Sequence, residues 1–142
     1  MKNPQTTAQE LYKTFKLSAF RTVAESACCA FTLMWCLHME PISDYEAIQT
    51  VREMISAGAL KKDCTVKWYD AVKYLTGRPL KGVDFVPVTD IKEIKDRAPV
   101  LYKAGNSYHW VGVENGEIKF NSLEYSKSVT TGKPVEARIL KF

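Results

Sequence analysis

From Ala27 to Met39 the chain reads ACCAFTLMWCLHM, thirteen residues without one Asp, Glu, Lys or Arg. No other stretch constrains the fold as strongly. It is shorter than the roughly 20 residues a bilayer-spanning helix needs. Ser26 stands before it as an N-cap and Pro41 lies beyond its end, so the run predicts one helix over 27–39. A helix that is apolar on every side has no face for water. It must be central, with the remaining chain packed around it.

The segments on either side supply that packing. In the first half, TAQE (Thr7–Glu10) has capping-box spacing and precedes Leu11, Tyr12 and Phe15. SDYE (Ser43–Glu46) opens another helix, with Ile48, Val51, Met54 and Ile55 inward and Gly58 as its stop. CTVKWYDAVKYLTG repeats the pattern, with Val66, Tyr69, Val72 and Leu75 or Trp68 inward and Gly77 closing. The second half changes period. VDFVPV (83–88) reads as an edge strand because of Pro87. TDIKEIKD reads as a helical turn or two. PVLYKAG (99–105), SYHWVGVE (107–114), GEIKFN (116–121) and KPVEARILKF read as strands, and Asn115–Gly116 is a hairpin signal. Helices first and an antiparallel sheet afterwards predict one α+β domain over 1–142, with a helical half at about 6–77 and a sheet half at about 83–142.

A net charge of +4, from scattered lysines without an aromatic-interleaved basic stripe, argues against nucleic acid as a partner. The polar start MKNPQTTAQELYK has no signal-peptide pattern, and a cytoplasmic location without a membrane span is the expectation. Three of the four cysteines fall within nine residues, unlike a disulfide scaffold. There is no Cys-x-x-Cys pair, and His38 and His109 are far apart, so neither a metal nor another cofactor is expected.

Cys28 and Cys29 stand in the first turn of the apolar helix, where unpaired backbone N–H groups lower a thiol's pKa and can hold an oxyanion. Free cysteine is also among the most buried residue types, so core filling is the competing reading. His109 begins a strand, and the next strand ends in KFNSL, which offers Asn121. Cysteine, histidine and an amide form a constellation for acyl transfer through a thioester.

CCAFTLMW (28–35) resembles the CGPTSLAM type of helix start in the bacteriocin-processing (double-glycine leader) branch of the papain-like cysteine peptidases. HWVGVENGEIKFNSL is similar to that superfamily's histidine strand, hairpin and third-residue strand, and NSL (121–123) to the Asn-Ser-Trp of papain itself. The resemblance implies a papain-like fold with Cys28 as nucleophile, His109 as base and acid, and Asn121 as orienter. The family has a glutamine about six residues before the nucleophile as an oxyanion donor. That position is Thr22 here, beside Arg21, which leaves those two as substitutes. Cys29 is the fallback nucleophile.

Hairpin register bears on the third residue. A two-residue turn at Asn115–Gly116 puts Ser122 opposite His109 and groups Val111, Val113, Ile118 and Phe120 on one face. A three-residue loop puts Asn121 there, and a bulge near 120 reconciles pattern with chemistry. Asn121 is the expectation, with Ser122 in reserve. His38 reads as a capping or packing residue, Trp35, Trp68 and Cys36 as core, and Trp110 as cleft wall or core; Asp70 and Glu53 belong on solvated faces. There is no phosphate-binding loop and no carboxylate pair for glycoside hydrolysis.

The expectation is a peptidase- or amidase-like hydrolase acting on a peptide or peptide-like substrate, with no cofactor. A catalytically inactive papain-like module that binds peptides is the alternative, and an unrelated α+β interaction module is a third. Substrate identity and oligomeric state are not encoded in any recognisable pattern.

Overall fold

A computed structural model describes all 142 residues. Five helices come first: α1 (Pro4–Phe15), α2 (Ser18–Ser26), α3 (Cys28–Cys36), α4 (Asp44–Ser56) and α5 (Trp68–Thr76). The strands β1 (Gly82–Pro87), β2 (Ala98–Ala104), β3 (Ser107–Glu114), β4 (Glu117–Phe120) and β5 (Lys133–Lys141) follow, with a short α6 (Lys127–Thr131) before the last. They form one antiparallel sheet in the order β1-β5-β2-β3-β4. The α+β class expected from the sequence is the one observed. No helix is long and apolar enough to cross a membrane.

The apolar run is central as expected: Phe31, Leu33 and Met34 are fully buried. Burying side chains of this size stabilises the fold by about 1.5–3 kcal/mol each. The helix is shorter than 27–39, however. Ser26 ends α2, an element the sequence reading missed, and Ala27 is the buried junction between two consecutive helices. At the other end α3 stops at Cys36. His38 adopts a left-handed φ of 56°, and the N–H groups of His38 and Met39 donate to Trp35 O and Met34 O. The guanidinium of Arg97 donates to Trp35 O as well, at 2.7 Å.

Other ends also differ. α1 starts at Pro4, a residue suited to the first helical position, and the Thr7 hydroxyl donates to Asp44 Oδ2 (2.9 Å) instead of closing a capping box. The box at Ser43 forms in half: Ser43 Oγ accepts the Glu46 N–H. In α5 the inward residues are Ala71 and Val72, with Trp68 and Leu75 half-buried against the same core, while Tyr69 is exposed. Val66 pairs with Leu60 in an isolated bridge before α5 begins, which sets the helix one step later than its pattern suggests. Residues 89–96 contribute a single 3₁₀ turn, Ile91–Glu93, capped by Asp90.

The sheet separates two cores. The larger lies under α1 to α5 and includes Trp35 and Phe120; the smaller gathers Val100, Val111, Val113 and Ala137 with Val88 and Ile94. Gly112 lets α3 approach β3. A Cβ there would lie 2.6 Å from Trp35 Cζ3 and 3.1 Å from Phe120 Cβ, so only glycine admits the Trp35 ring, which is stacked on Phe120 at 6.1 Å.

Candidate active site

The β3–β4 hairpin decides where the third residue falls. Asn115 (φ 52°) and Gly116 (φ 74°) make the two-residue turn, and Glu114 faces Glu117. The register then shifts: Val113 faces Ile118, but Gly112 faces Phe120, leaving Lys119 as a bulge. Phe120 is thereby carried to the helical face against Trp35, away from Val111 and Val113, contrary to the single apolar face expected. The same shift gives Asn121 the parity of His109. Asn121 Oδ1 lies 2.7 Å from His109 Nε2.

The protonation of that pair follows from a second contact. Asn121 Oδ1 also accepts the Leu123 N–H at 3.0 Å, which identifies the atom as oxygen. His109 Nε2 must therefore donate, and in the neutral ring Nδ1 carries the lone pair. Nδ1 makes no hydrogen bond. Burial holds the His109 pKa below its ordinary value, with the Asn121 bond opposing. Ser122, the reserve candidate, is fully buried and its hydroxyl donates to Gln5 Oε1 (2.8 Å), not to His109.

β4 ends at Phe120, so the outer edge of β3 beyond Gly112 has no strand partner. The start of α3 takes that place. Thr32 Oγ1 lies 2.8 Å from Cys28 O and 3.4 Å from Trp110 O, which ties the first turn of α3 to β3. Cys28 and His109 consequently line one cleft of about 390 Å³, together with Gln5, Arg21 and Ser126. No hydrogen bond joins Cys28 Sγ to His109 in this open cleft. The Cys28 and Cys29 amides stand at the open start of α3, where N–H groups lack an intrahelical acceptor. They are the donors an oxyanion at this point would meet.

The thiol itself is not preionised. Burial raises the Cys28 pKa above its ordinary value, and the N–H groups of Trp110, Cys29 and Cys28 only oppose that. Desolvation thus works against the low pKa expected from the helix start, and it favours the neutral form of both the Cys28 thiol and the His109 ring. Cys29 is pushed up much further by burial and does not border the His109 cleft. Burial also raises Cys36, beside Arg97, and moves Cys64 up to about 11.

Of the two residues expected as oxyanion donors, Arg21 borders the cleft, exposed and paired with Glu25 at 3.1 Å. Thr22 does not: its hydroxyl donates to Ser18 O, and it borders a separate cavity beside Arg52. Gln5, which sequence reasoning missed, is buried in the cleft wall, with Nε2 donating to Ala24 O (2.7 Å). Its only sequence signal was a polar residue at the start of α1, too common to single out. Trp110 turns away from His109 and meets Trp68 edge-on at 6.3 Å. No three His, Cys, Asp or Glu side chains converge as a metal-binding group.

A thiol, a histidine with one ring nitrogen oriented by an amide and the other free, and converging N–H groups can support acyl transfer. No family model matches the chain, and no curated protein or solved structure matches it.

Proposed function

We propose that the chain is a cysteine-dependent amide-bond hydrolase with a papain-like fold. The observation that carries this reading is the 2.7 Å bond from His109 Nε2 to Asn121 Oδ1, which leaves Nδ1 as a free base in the cleft that Cys28 borders. In this reading Cys28 Sγ attacks the scissile carbonyl as its proton passes to His109 Nδ1. The Cys28 and Cys29 amides hold the oxyanion, with Arg21 at the rim. His109 then protonates the departing amine and a thioester is left on Cys28. Water, deprotonated by His109, hydrolyses the thioester and releases the acid and the thiol. The substrate is a peptide or peptide-like amide, and no cofactor takes part.

A second reading, a papain-like module that binds peptides without cleaving them, is favoured by one observation: no hydrogen bond joins the Cys28 thiol to His109. The two readings separate with p-nitrophenyl acetate. Hydrolase action requires acetyl transfer to Cys28 Sγ with release of p-nitrophenolate, then repeated turnover. Turnover should vanish in Cys28→Ala. In His109→Ala any acetyl adduct should persist on Cys28. A single slow acetylation spread over all four cysteines, without turnover, would overturn the hydrolase reading.

A further inference from the structure

A second cavity, of about 470 Å³, opens on the other side of Cys28. Cys28, Glu25 and Tyr108 border both spaces, so the two adjoin at these residues. Trp68 and Trp110 form an apolar wall, and Arg138 of β5 borders the same space.

Arg138 is an odd residue for that position. It is only 9% exposed, and its guanidinium lies 3.7 Å from the Phe85 ring centre and 5.0 Å from that of Trp110. Three groups on it can donate, yet they are poorly used. Nη2 reaches Glu136 Oε1 at 3.2 Å, Nη1 has only a stretched 3.5 Å contact to Ala137 O, and Nε is buried without a partner. A buried guanidinium left short of acceptors is costly unless something supplies them. A carboxylate matches its planar fork with two parallel bonds. The acids at the rim are committed elsewhere: Asp63 accepts the Thr65 N–H, and Glu25 pairs with Arg21.

We infer that this cavity is a specificity subsite for a substrate carboxylate close to the scissile amide, held by Arg138 beside the Trp68–Trp110 wall. The inference rests on the reading of the cleft as that of a cysteine hydrolase and assigns its substrate class: peptides with an acidic side chain or a free α-carboxylate next to the cleaved bond. These two sources share one chemistry, and the test separates them.

Three probes compare them on the intact chain: N-chloroacetyl-phenylalanine, with an α-carboxylate; its neutral amide; and N-chloroacetyl-glutamic acid α-amide, with a side-chain carboxylate. Each alkylates Cys28 by forming an S–C bond and expelling chloride while the thiol proton passes to His109 or solvent. Mass spectrometry reads the rate at Cys28. At least one carboxylate probe should react about tenfold faster than the neutral amide or more, as expected for a charge-assisted hydrogen bond. Which one does so names the source. Arg138→Gln should bring that ratio close to one, and Arg138→Lys should restore part of it. Equal rates for all three probes on the unaltered chain overturn the inference without any variant. So does a ratio that survives Arg138→Gln in folded protein. Failure of the hydrolase reading would appear separately, as a rate at Cys28 that His109→Ala leaves unchanged even though the carboxylate preference holds.

Discussion

His109 and Asn121 are joined by a 2.7 Å hydrogen bond because β4 holds one surplus residue, Lys119. In a regular ladder from the Asn115–Gly116 turn, Asn121 would face Trp110 and the helices. The bulge reverses that parity, and the Leu123 N–H fixes which amide atom faces the ring. Asn121→Ala removes the acceptor that holds His109 in its Nε2–H tautomer. Turnover of p-nitrophenyl acetate should fall at least about tenfold, within the range that positioned acid–base catalysis contributes, while Ser122→Ala should act on stability through Gln5. A larger loss of turnover from Ser122→Ala than from Asn121→Ala, in folded protein, would reverse the assignment.

Gly112 sets the distance between α3 and β3. Gly112→Ala should destabilise the fold by about 1–3 kcal/mol, the usual effect of overpacking, because the added methyl meets the Trp35 ring. Pairing it with Trp35→Leu should recover part of that loss in a double-mutant cycle of urea unfolding. Strict additivity of the two changes would show that the ring is not what Gly112 accommodates.

Arg97 closes the far end of α3 by donating to Trp35 O, lies over the Trp35 ring at 4.2 Å, and pairs with Glu40 and Glu114. Its side chain is mostly covered, so these contacts are not fully screened. Arg97→Ala should lower stability by about 1–3 kcal/mol, as for a hydrogen bond from a charged group at a helix C-terminus. Urea unfolding of the two proteins measures it, and a change within error would remove Arg97 from the support of this helix.

Much of this layout was legible in the sequence because it rests on local chemistry. The apolar run had to be buried, Ser43 had to cap α4, and Asn115–Gly116 had to turn. The α2–α3 junction was not legible, because Ala27 is an apolar residue between two helices and carries no capping signal. The bulge could be suspected only from the conflict between pattern and chemistry around Phe120. Gln5 escaped because its role depends on Ser122, 117 residues away, and Arg138 because its role depends on which face of β5 meets the helices. The sign of the Cys28 shift was misread for a related reason: the helix start is visible in sequence, and the desolvation that outweighs it is not.

Those shifts give stability a pH dependence on both sides. The His109 pKa is depressed in the fold, so its contribution is present above the unfolded value of about 6.5 and is lost as pH falls toward the folded one. The thiols of Cys28 and Cys29 are raised, so their contribution is present below the unfolded value of about 8.5 and is lost as pH climbs. Thermal midpoints under reducing conditions should be highest between these limits. His109→Gln should flatten the acid side and Cys29→Ala the alkaline side. An unchanged acid slope in His109→Gln would mean that the ring titrates alike in the folded and the unfolded chain.

The most direct test of the catalytic pair is the pH profile of iodoacetamide alkylation at Cys28, read by mass spectrometry in the unaltered chain and in His109→Ala. With His109 Nδ1 as the base, the rate in the unaltered chain should rise with the neutral imidazole and level off by about pH 6.5. In His109→Ala it should climb only with thiol ionisation, above about pH 8.5. Two superimposed profiles, both rising only in alkali, would contradict the pairing of Cys28 with His109.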